Sequence, residues 1–342
     1  MTAYICSTAQ ISSQEPLSAK WFTAPRECAE RCCFSVDAQY GGFISPMAAR
    51  RMGKLLKRAA ATSLTALREA SVEIPDAIIF GTGLGCMENS EKFLSAMKEQ
   101  GEECLSPTYF INSTHNTIAS QIAGLLKCHS YNNTYAHLGV SFESALLDSL
   151  MQFEAGRIST ALAGGYDELT PGVFDLYEKA GFWHGVGKQG AAAGETAVAM
   201  VLSSEKTDSA KCGLEDVALC CGRPLPEVAL ALEKFLDRNG LHPSDTDLVI
   251  TGRNGDVRYD ESYTALVDSV FGNSKPQACY KHVFGESFTA GAYGVMLGAE
   301  VLKHGRLLSP YRFGTAETGT FERILLINSY RSRDWSFILL AK

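Results

Sequence analysis

Short apolar runs alternate with amphipathic stretches along nearly the whole chain. Ala3 to Ile11 reads as a strand, and Ser12 to Gly42, which is polar and without a clear period, reads as loop. From Ser45 to Ala70 the apolar positions Met52, Leu55, Leu56, Ala59, Leu64 and Leu67 share one side, with Arg51, Lys54, Lys57, Arg58 and Arg68 largely opposite. That spacing predicts an amphipathic helix. Asp76 to Phe80 reads as a buried strand ending in the turn Gly81-Thr82-Gly83-Leu84-Gly85, and Glu88 to Glu99 as the next helix. Strand followed by helix implies an α/β sheet.

The alternation continues with a helix over Asn116 to Leu126, a strand near Thr134 to Leu138, a helix from Ser141 to Ala155 and strands at Thr160 to Ala163 and Thr196 to Ser203. A smaller version of the theme follows. Strands are predicted at Val217 to Cys221 and Asp247 to Thr251, helices at Pro226 to Asn239, Tyr259 to Phe271 and just before Lys303, and closing strands at Arg323 to Ser329 and Ser336 to Leu340. The expected organisation is two tandem α/β halves, residues 1–205 and 206–342, joined near Ser204 to Gly213 in one compact unit. The two halves share a pattern of elements without a repeated sequence.

The chain has 342 residues, 46% of them hydrophobic, which is enough apolar material for one large core or two fused ones. Its formal charge of −7 argues against nucleic acid as the main partner, because phosphate binding draws on clustered Lys and Arg. No apolar run is long enough for a membrane span, and Met1 to Ser13 lacks the features of a signal peptide, so a cytoplasmic protein is expected. The eleven cysteines are scattered and form no zinc pattern. Reduced, mostly buried thiols are expected of them, with no metal and no cofactor. The turn Gly81 to Gly85 lacks both the Walker lysine and the dinucleotide spacing.

Ala161-Leu162-Ala163-Gly164-Gly165 resembles the strand and turn that follow the nucleophile helix of β-ketoacyl synthases. Ser106-Pro107 to Gln121-Ile122-Ala123 resembles the family's approach to a helix, Gly190 with Gly194-Glu195 its glycine-rich turn before a strand, and Asn328-Ser329-Tyr330 its C-terminal asparagine-serine-phenylalanine turn. With Arg50-Arg51-Met52 and Gly81 to Gly85, these segments keep the family's order across nearly the whole chain. The resemblance implies an α/β thiolase-like five-layered αβαβα fold made of two tandem halves, assembled into dimers. It also implies a chemistry. A cysteine at a helix N-terminus is acylated, and two histidines then assist decarboxylation of a malonyl thioester held by an acyl carrier protein.

Mapped onto this sequence, the nucleophile position falls at Gly139, the first histidine at Gly252 and the second at Glu286, where Lys281 and Gly285 still match the family. Glycine cannot be acylated, and a carboxylate accepts hydrogen bonds where the family's histidine donates. A shift of register would bring His137 or His282 toward the site. Ser141 and Cys128 are the substitute nucleophiles, although a serine at a helix start is more often an N-cap, and Glu143 there suits the helix dipole without a catalytic role. Phe110, His115, Phe142 and Phe288 are candidates for an acyl cavity, with core packing an equal explanation for the aromatics. Arg50, Arg51, Lys54, Lys57 and Arg58 are candidates for docking an acidic acyl carrier protein, against the alternative of a solvated helix face.

The expected function is that of a ketosynthase-like, non-catalytic subunit pairing with an active β-ketoacyl synthase and setting acyl-chain length in fatty-acid or polyene and polyketide-type biosynthesis. The resemblance is to chain-length factors, and within them to aryl-polyene-type subunits. Two alternatives stay open: an acyl-transfer, thioesterase or decarboxylase enzyme using a non-standard site, and a homodimeric acyl-binding protein without chemistry.

Overall fold

The computed structural model describes residues 2–28, 30–103, 105–183, 190–314 and 319–342. Its strands in chain order are β1 (Ala3–Ile11), β2 (Cys32–Cys33), β3 (Ala77–Gly81), β4 (Tyr131–Tyr135), β5 (Thr160–Asp167), β6 (Ala193–Gly194) and β7 (Thr196–Ser203). The second half carries β8 (Cys212–Cys221), β9 (Leu248–Thr251), β10 (Gln277–Cys279), β11 (Arg312–Phe313), β12 (Arg323–Tyr330) and β13 (Asp334–Ala341). Strands such as β3, β7 and β9 are buried at every position, as strands covered on both faces must be.

The main sheet runs β11-β10-β9-β12-β13-β8-β1-β7-β5-β3-β4, and β2 pairs separately with β6. The order contains one topology twice. In the first half β4-β3-β5 are parallel and β7 and β1 antiparallel; in the second β10-β9-β12 are parallel and β13 and β8 antiparallel. The halves meet where Ala3, Tyr4 and Ile5 of β1 pair with Leu214, Gly213 and Cys212 of β8.

Strand alternation produces the layers. In β3, Ile78 and Phe80 face the outer helices Lys54–Glu69 and Thr117–Leu126, while Ala77 and Ile79 face the interior. In β12, Leu325 and Ile327 face the outer helices Leu225–Arg238 and Val257–Phe271, while Ile324 and Leu326 face the interior. Helices Ser141–Glu154 and Gly291–His304 fill that interior, giving the five layers of the thiolase-like fold.

Several expectations are corrected. The helix over Ser45 to Ala70 is two helices, Pro46–Ala49 and Lys54–Glu69, interrupted before Gly53. Ser12 to Gly42 contains the helical turn Lys20–Thr23 and strand β2, and Cys28 and Cys33 are joined by a disulfide rather than reduced, with Cα atoms 5.9 Å apart. The strand expected at Thr134 to Leu138 lies earlier, at Tyr131–Tyr135, and the chain then tightens into a turn at Leu138–Val140.

Buried charge clusters at the seam between the first-half helices and the sheet. Glu168, which follows β5, has its carboxyl pushed up to about 7 by burial and then by the neighbouring carboxylates Glu88 and Glu195. The folded protein therefore holds a proton that the unfolded chain releases, and this contribution to stability is lost as pH rises from the unfolded value through about 7. Glu168→Gln keeps an acceptor for the Glu88 N–H, 2.8 Å from Oε1, and removes the titration. Urea unfolding at pH 5 and pH 8 is expected to show the wild type losing about 2 kcal/mol more than the variant over that range.

Candidate functional site

Each family position follows the carboxyl end of a strand that belongs to one of the two parallel sets. After β4 the chain turns through Leu138–Val140, placing buried Gly139 immediately before helix Ser141–Glu154. Gly252 follows β9, and Glu286 follows β10 and the helical turn Lys281–Phe284. Strand β12 runs parallel to β9 and ends in Asn328-Ser329-Tyr330 among them. This is the carboxyl end of the parallel strands, where α/β sheets place their ligands.

The space that side chains would occupy at the two glycines is already filled. A Cβ built on Gly139 would lie 2.3 Å from Cβ and 2.5 Å from Cγ of Tyr330. One on Gly252 would lie 2.3 Å from Oδ1 of Asn328 and 2.7 Å from the Tyr263 hydroxyl. A cysteine at Gly139 would displace Tyr330 at its Cβ and so β12, and a histidine at Gly252 would displace the Asn328 amide and the Tyr263 hydroxyl. The Asn328 amide is itself fixed: its Nδ2 donates to Oε1 of Glu143 at 2.9 Å, and its Oδ1 accepts from the Tyr280 hydroxyl at 3.3 Å.

Glu286 is held as an acceptor on both oxygens. Lys281 Nζ donates to Oε1 at 2.9 Å and to Oε2 at 2.8 Å, and Asn254 Nδ2 donates to Oε2 at 2.7 Å. Lys281 is 2% exposed and its charge is neutralised by this one carboxylate, so the pair balances as a unit. Beside it remains a cavity of about 40 Å³, lined by Tyr177, Phe182, Trp183, Phe288 and Tyr330 among others. Arg331 closes one side, its guanidinium 4.0 Å from the Phe182 ring and its Nε donating to the Tyr259 hydroxyl at 2.9 Å.

The remaining candidates are placed as follows. The Ser141 hydroxyl donates to the Leu138 carbonyl at 2.7 Å and accepts from the His137 N–H at 2.8 Å, so it clasps the turn around Gly139 instead of capping the helix amides, and no base touches it. His137 is exposed, with Nδ1 3.1 Å from the Ser144 hydroxyl. His282 points away from the site: its Nε2 lies 2.7 Å from the Pro310 carbonyl and its Nδ1 3.5 Å from the Cys279 sulfur. Cys128 is buried at the opposite end of the sheet, before β4, with its thiol donating to the carbonyl of Pro75.

Glu143 lies in the first turn of helix Ser141–Glu154. It is fully buried, Oε1 also accepts from the Ser336 hydroxyl at 3.2 Å, Oε2 has no hydrogen-bond partner among the described residues, and burial raises its carboxyl above the usual range. Of the acyl-cavity candidates, Phe288 lines the cavity and Phe142 lies in the central core. Phe110 is 58% exposed on helix Pro107–Ser113 against Phe93, and His115 is exposed beside Gly85. The cationic docking face loses Arg58, which is buried and ion-paired with Asp37 at 2.8 Å and Glu195 at 3.0 Å. Arg50, Arg51 and Lys54 are exposed and Lys57 is half-buried.

Sequence reasoning missed Tyr330 as the residue that fills the space beside Gly139, and Asn254 as the second partner of Glu286. It also missed Asp167, whose buried carboxyl accepts from Gly83 N at 2.7 Å, Thr289 N at 2.7 Å and Thr289 Oγ1 at 2.6 Å. Asp167 thereby ties the turn after β3 to the start of helix Gly291–His304. The available signal for it was its place at the end of a buried strand, where a lone carboxylate needs partners.

The family profile of the beta-ketoacyl synthase N-terminal domain matches residues 25–223. The chain belongs to the beta-ketoacyl synthase family. Among solved structures it is similar to the ishigamide ketosynthase/chain length factor, with TM-score 0.86 and 17% identity over 100% of this chain and 99% of that one. It is also similar to a beta-ketoacyl synthase from Burkholderia phymatum STM815, with TM-score 0.83 and 14% identity over 99% of each chain. A third is the complex of the ketosynthase ApeO with its chain length factor ApeC from Xenorhabdus doucetiae, with TM-score 0.79 and 15% identity over 99% of this chain and 97% of that one. No curated protein matches the sequence.

Proposed function

We propose that this chain is a ketosynthase-fold subunit that does not condense acyl thioesters itself, pairs with an active β-ketoacyl synthase and influences how far the acyl chain extends. The observation that carries the reading is Tyr330 occupying the space that a side chain at the nucleophile position would need. The filled space at Gly252 and the saturated carboxylate of Glu286 support it further. Among the described residues, none of the three family positions carries a nucleophile and Ser141 beside them touches no base, so acyl-transfer, thioesterase and decarboxylase readings at these positions draw no support.

The open edge of β4 favours a subunit role. It is the terminal strand of the sheet among the described residues. Exposed Tyr131 and Leu138 lie on and just after it, and Phe110 and Ile111 are exposed on helix Pro107–Ser113, which packs on helix Thr117–Leu126, itself packed against β4. A bare edge flanked by apolar side chains is a template for pairing with another chain. A second synthase-fold subunit with the same edge would satisfy it. The reading divides the chain at 1–205 and 206–342, places it in the cytoplasm, and assigns acyl carrier protein as the partner for Arg50, Arg51, Lys54 and Lys57. The pathway it fits is fatty-acid or polyene and polyketide-type synthesis.

Co-expression with a cysteine-containing ketosynthase of the same organism tests this. Light scattering is expected to show a one-to-one complex, with roughly 2,000 Å² or more buried between the subunits. A stable monomer that ignores every such ketosynthase would refute the subunit role.

A further inference from the structure

Cys28, Cys32 and Cys33 gather on a surface segment that the synthase reading does not use. We propose that Cys28 and Cys33 form a redox-active pair, and that opening their disulfide loosens the segment carrying Glu286. The bond exists, closing a short loop at the mouth of an open groove of about 330 Å³ lined by Gln14, Arg26, Cys32 and Phe34 among others. Cys28 is half-buried and Cys33 is buried, so a reductant in the groove meets the Cys28 sulfur first.

The loop is fastened to the Glu286 segment at both ends. The Cys28 N–H donates to the His282 carbonyl at 2.9 Å. At the other end Cys32 and Cys33 form strand β2, paired with Ala193 and Gly194 of β6, and the Ala193 N–H donates to the Arg31 carbonyl at 2.9 Å. Strand β6 in turn grips Glu286: the Gly194 N–H donates to the Glu286 carbonyl at 2.7 Å, and the Glu286 N–H to the Ala192 carbonyl at 2.8 Å. A pair of strands two residues long is not stable by itself, so the cross-link beside it sets how long the pairing lasts.

The chemistry is thiol–disulfide exchange with a dithiol as reductant. A reductant thiolate attacks the Cys28 sulfur, the bond to Cys33 breaks, and the Cys33 thiolate takes up a proton. The reductant's second thiol, as thiolate, then displaces Cys28, which is protonated in turn. Two electrons and two protons enter the protein and the reductant leaves as a disulfide. Cys32, its thiol held above the ordinary value by burial, stays protonated and does not scramble the bond. Disulfides in cytosolic proteins are chiefly of this reversible kind.

Amide hydrogen exchange on the whole protein, oxidised with glutathione disulfide or reduced with dithiothreitol, tests the proposal alongside peptide mapping of the link. The oxidised sample is expected to contain a Cys28–Cys33 cross-linked peptide. Reduction is expected to speed exchange at Gly194 and Glu286 on the order of tenfold while helix Gly291–His304 keeps its protection. Cys32→Ser should behave as the wild type. Absence of that linked peptide after oxidation, a link to Cys32 instead, or equal exchange at Gly194 and Glu286 in both samples would each overturn it.

Discussion

Replacing Gly139 by cysteine is expected to weaken the fold by about 3 kcal/mol and to leave the new thiol unacylated. The Cβ alone would lie 2.3 Å from Cβ of Tyr330, and the tyrosine cannot step aside by changing rotamer, because the colliding atom is attached to the backbone. Strand β12 would have to shift, and its residues pair on one side with β9 and on the other with β13. Urea unfolding of Gly139→Cys measures the loss. Adding Tyr330→Gly removes the colliding atom, so the double variant should recover more than about 1 kcal/mol relative to the sum of the single changes. Additive losses would mean that Tyr330 does not fill the nucleophile's place.

The second large effect is expected at Asp167. Asp167→Ala strands the Gly83 and Thr289 N–H groups and the Thr289 hydroxyl in the interior, together with the weaker contact from the Thr82 hydroxyl at 3.3 Å. Each buried donor left without an acceptor costs about 1–3 kcal/mol, so a total near 4 kcal/mol is expected. Asp167→Asn keeps one acceptor oxygen but turns its own donors toward other donors, and should fall between the wild type and the alanine variant. Burial pushes the Asp167 carboxyl up to about 6. The stability it contributes as a neutral acid is therefore lost as pH rises from the unfolded value through about 6, the hydrogen bonds having kept the shift from being larger. Denaturant melts of both variants at pH 7 check the ranking; equal stability of wild type and alanine variant would dismiss the hub.

Much of this was legible in the sequence where burial is periodic. Thr196–Ser203 is apolar throughout and has the bounds its pattern predicts, and the helix from Ser141 begins where predicted. The short elements were not legible. Helices Pro107–Ser113 and Pro171–Lys179 span too few turns to show a period, although proline near the start of each was a usable signal. Strand β10 has three residues, fewer than any alternation test can resolve. Arg58 was misplaced because sequence shows which side of a helix carries charge but not that Asp37 and Glu195, 21 and 137 positions away, come to meet it.

The site divides the same way. Gly139, Gly252 and Glu286 were mapped by their order relative to family motifs, and the structure shows what packs around each of them. That Tyr330 fills the first place and Asn328 the second is tertiary information, since strand β12 lies nearly two hundred residues from the turn it packs against. The placement of His282 is likewise a matter of packing, because its ring is tied to Pro310 and Cys279.

The central claim is that no residue of this chain takes up an acyl group from a thioester. Its direct test is the intact mass of the purified protein after incubation with acyl and malonyl thioesters on an acyl carrier protein, beside a cysteine-containing ketosynthase treated identically. The account predicts an unchanged mass here and a stoichiometric acyl adduct on the ketosynthase. A stoichiometric adduct on this chain, mapped to Ser141, Cys128 or any other single residue, would contradict it.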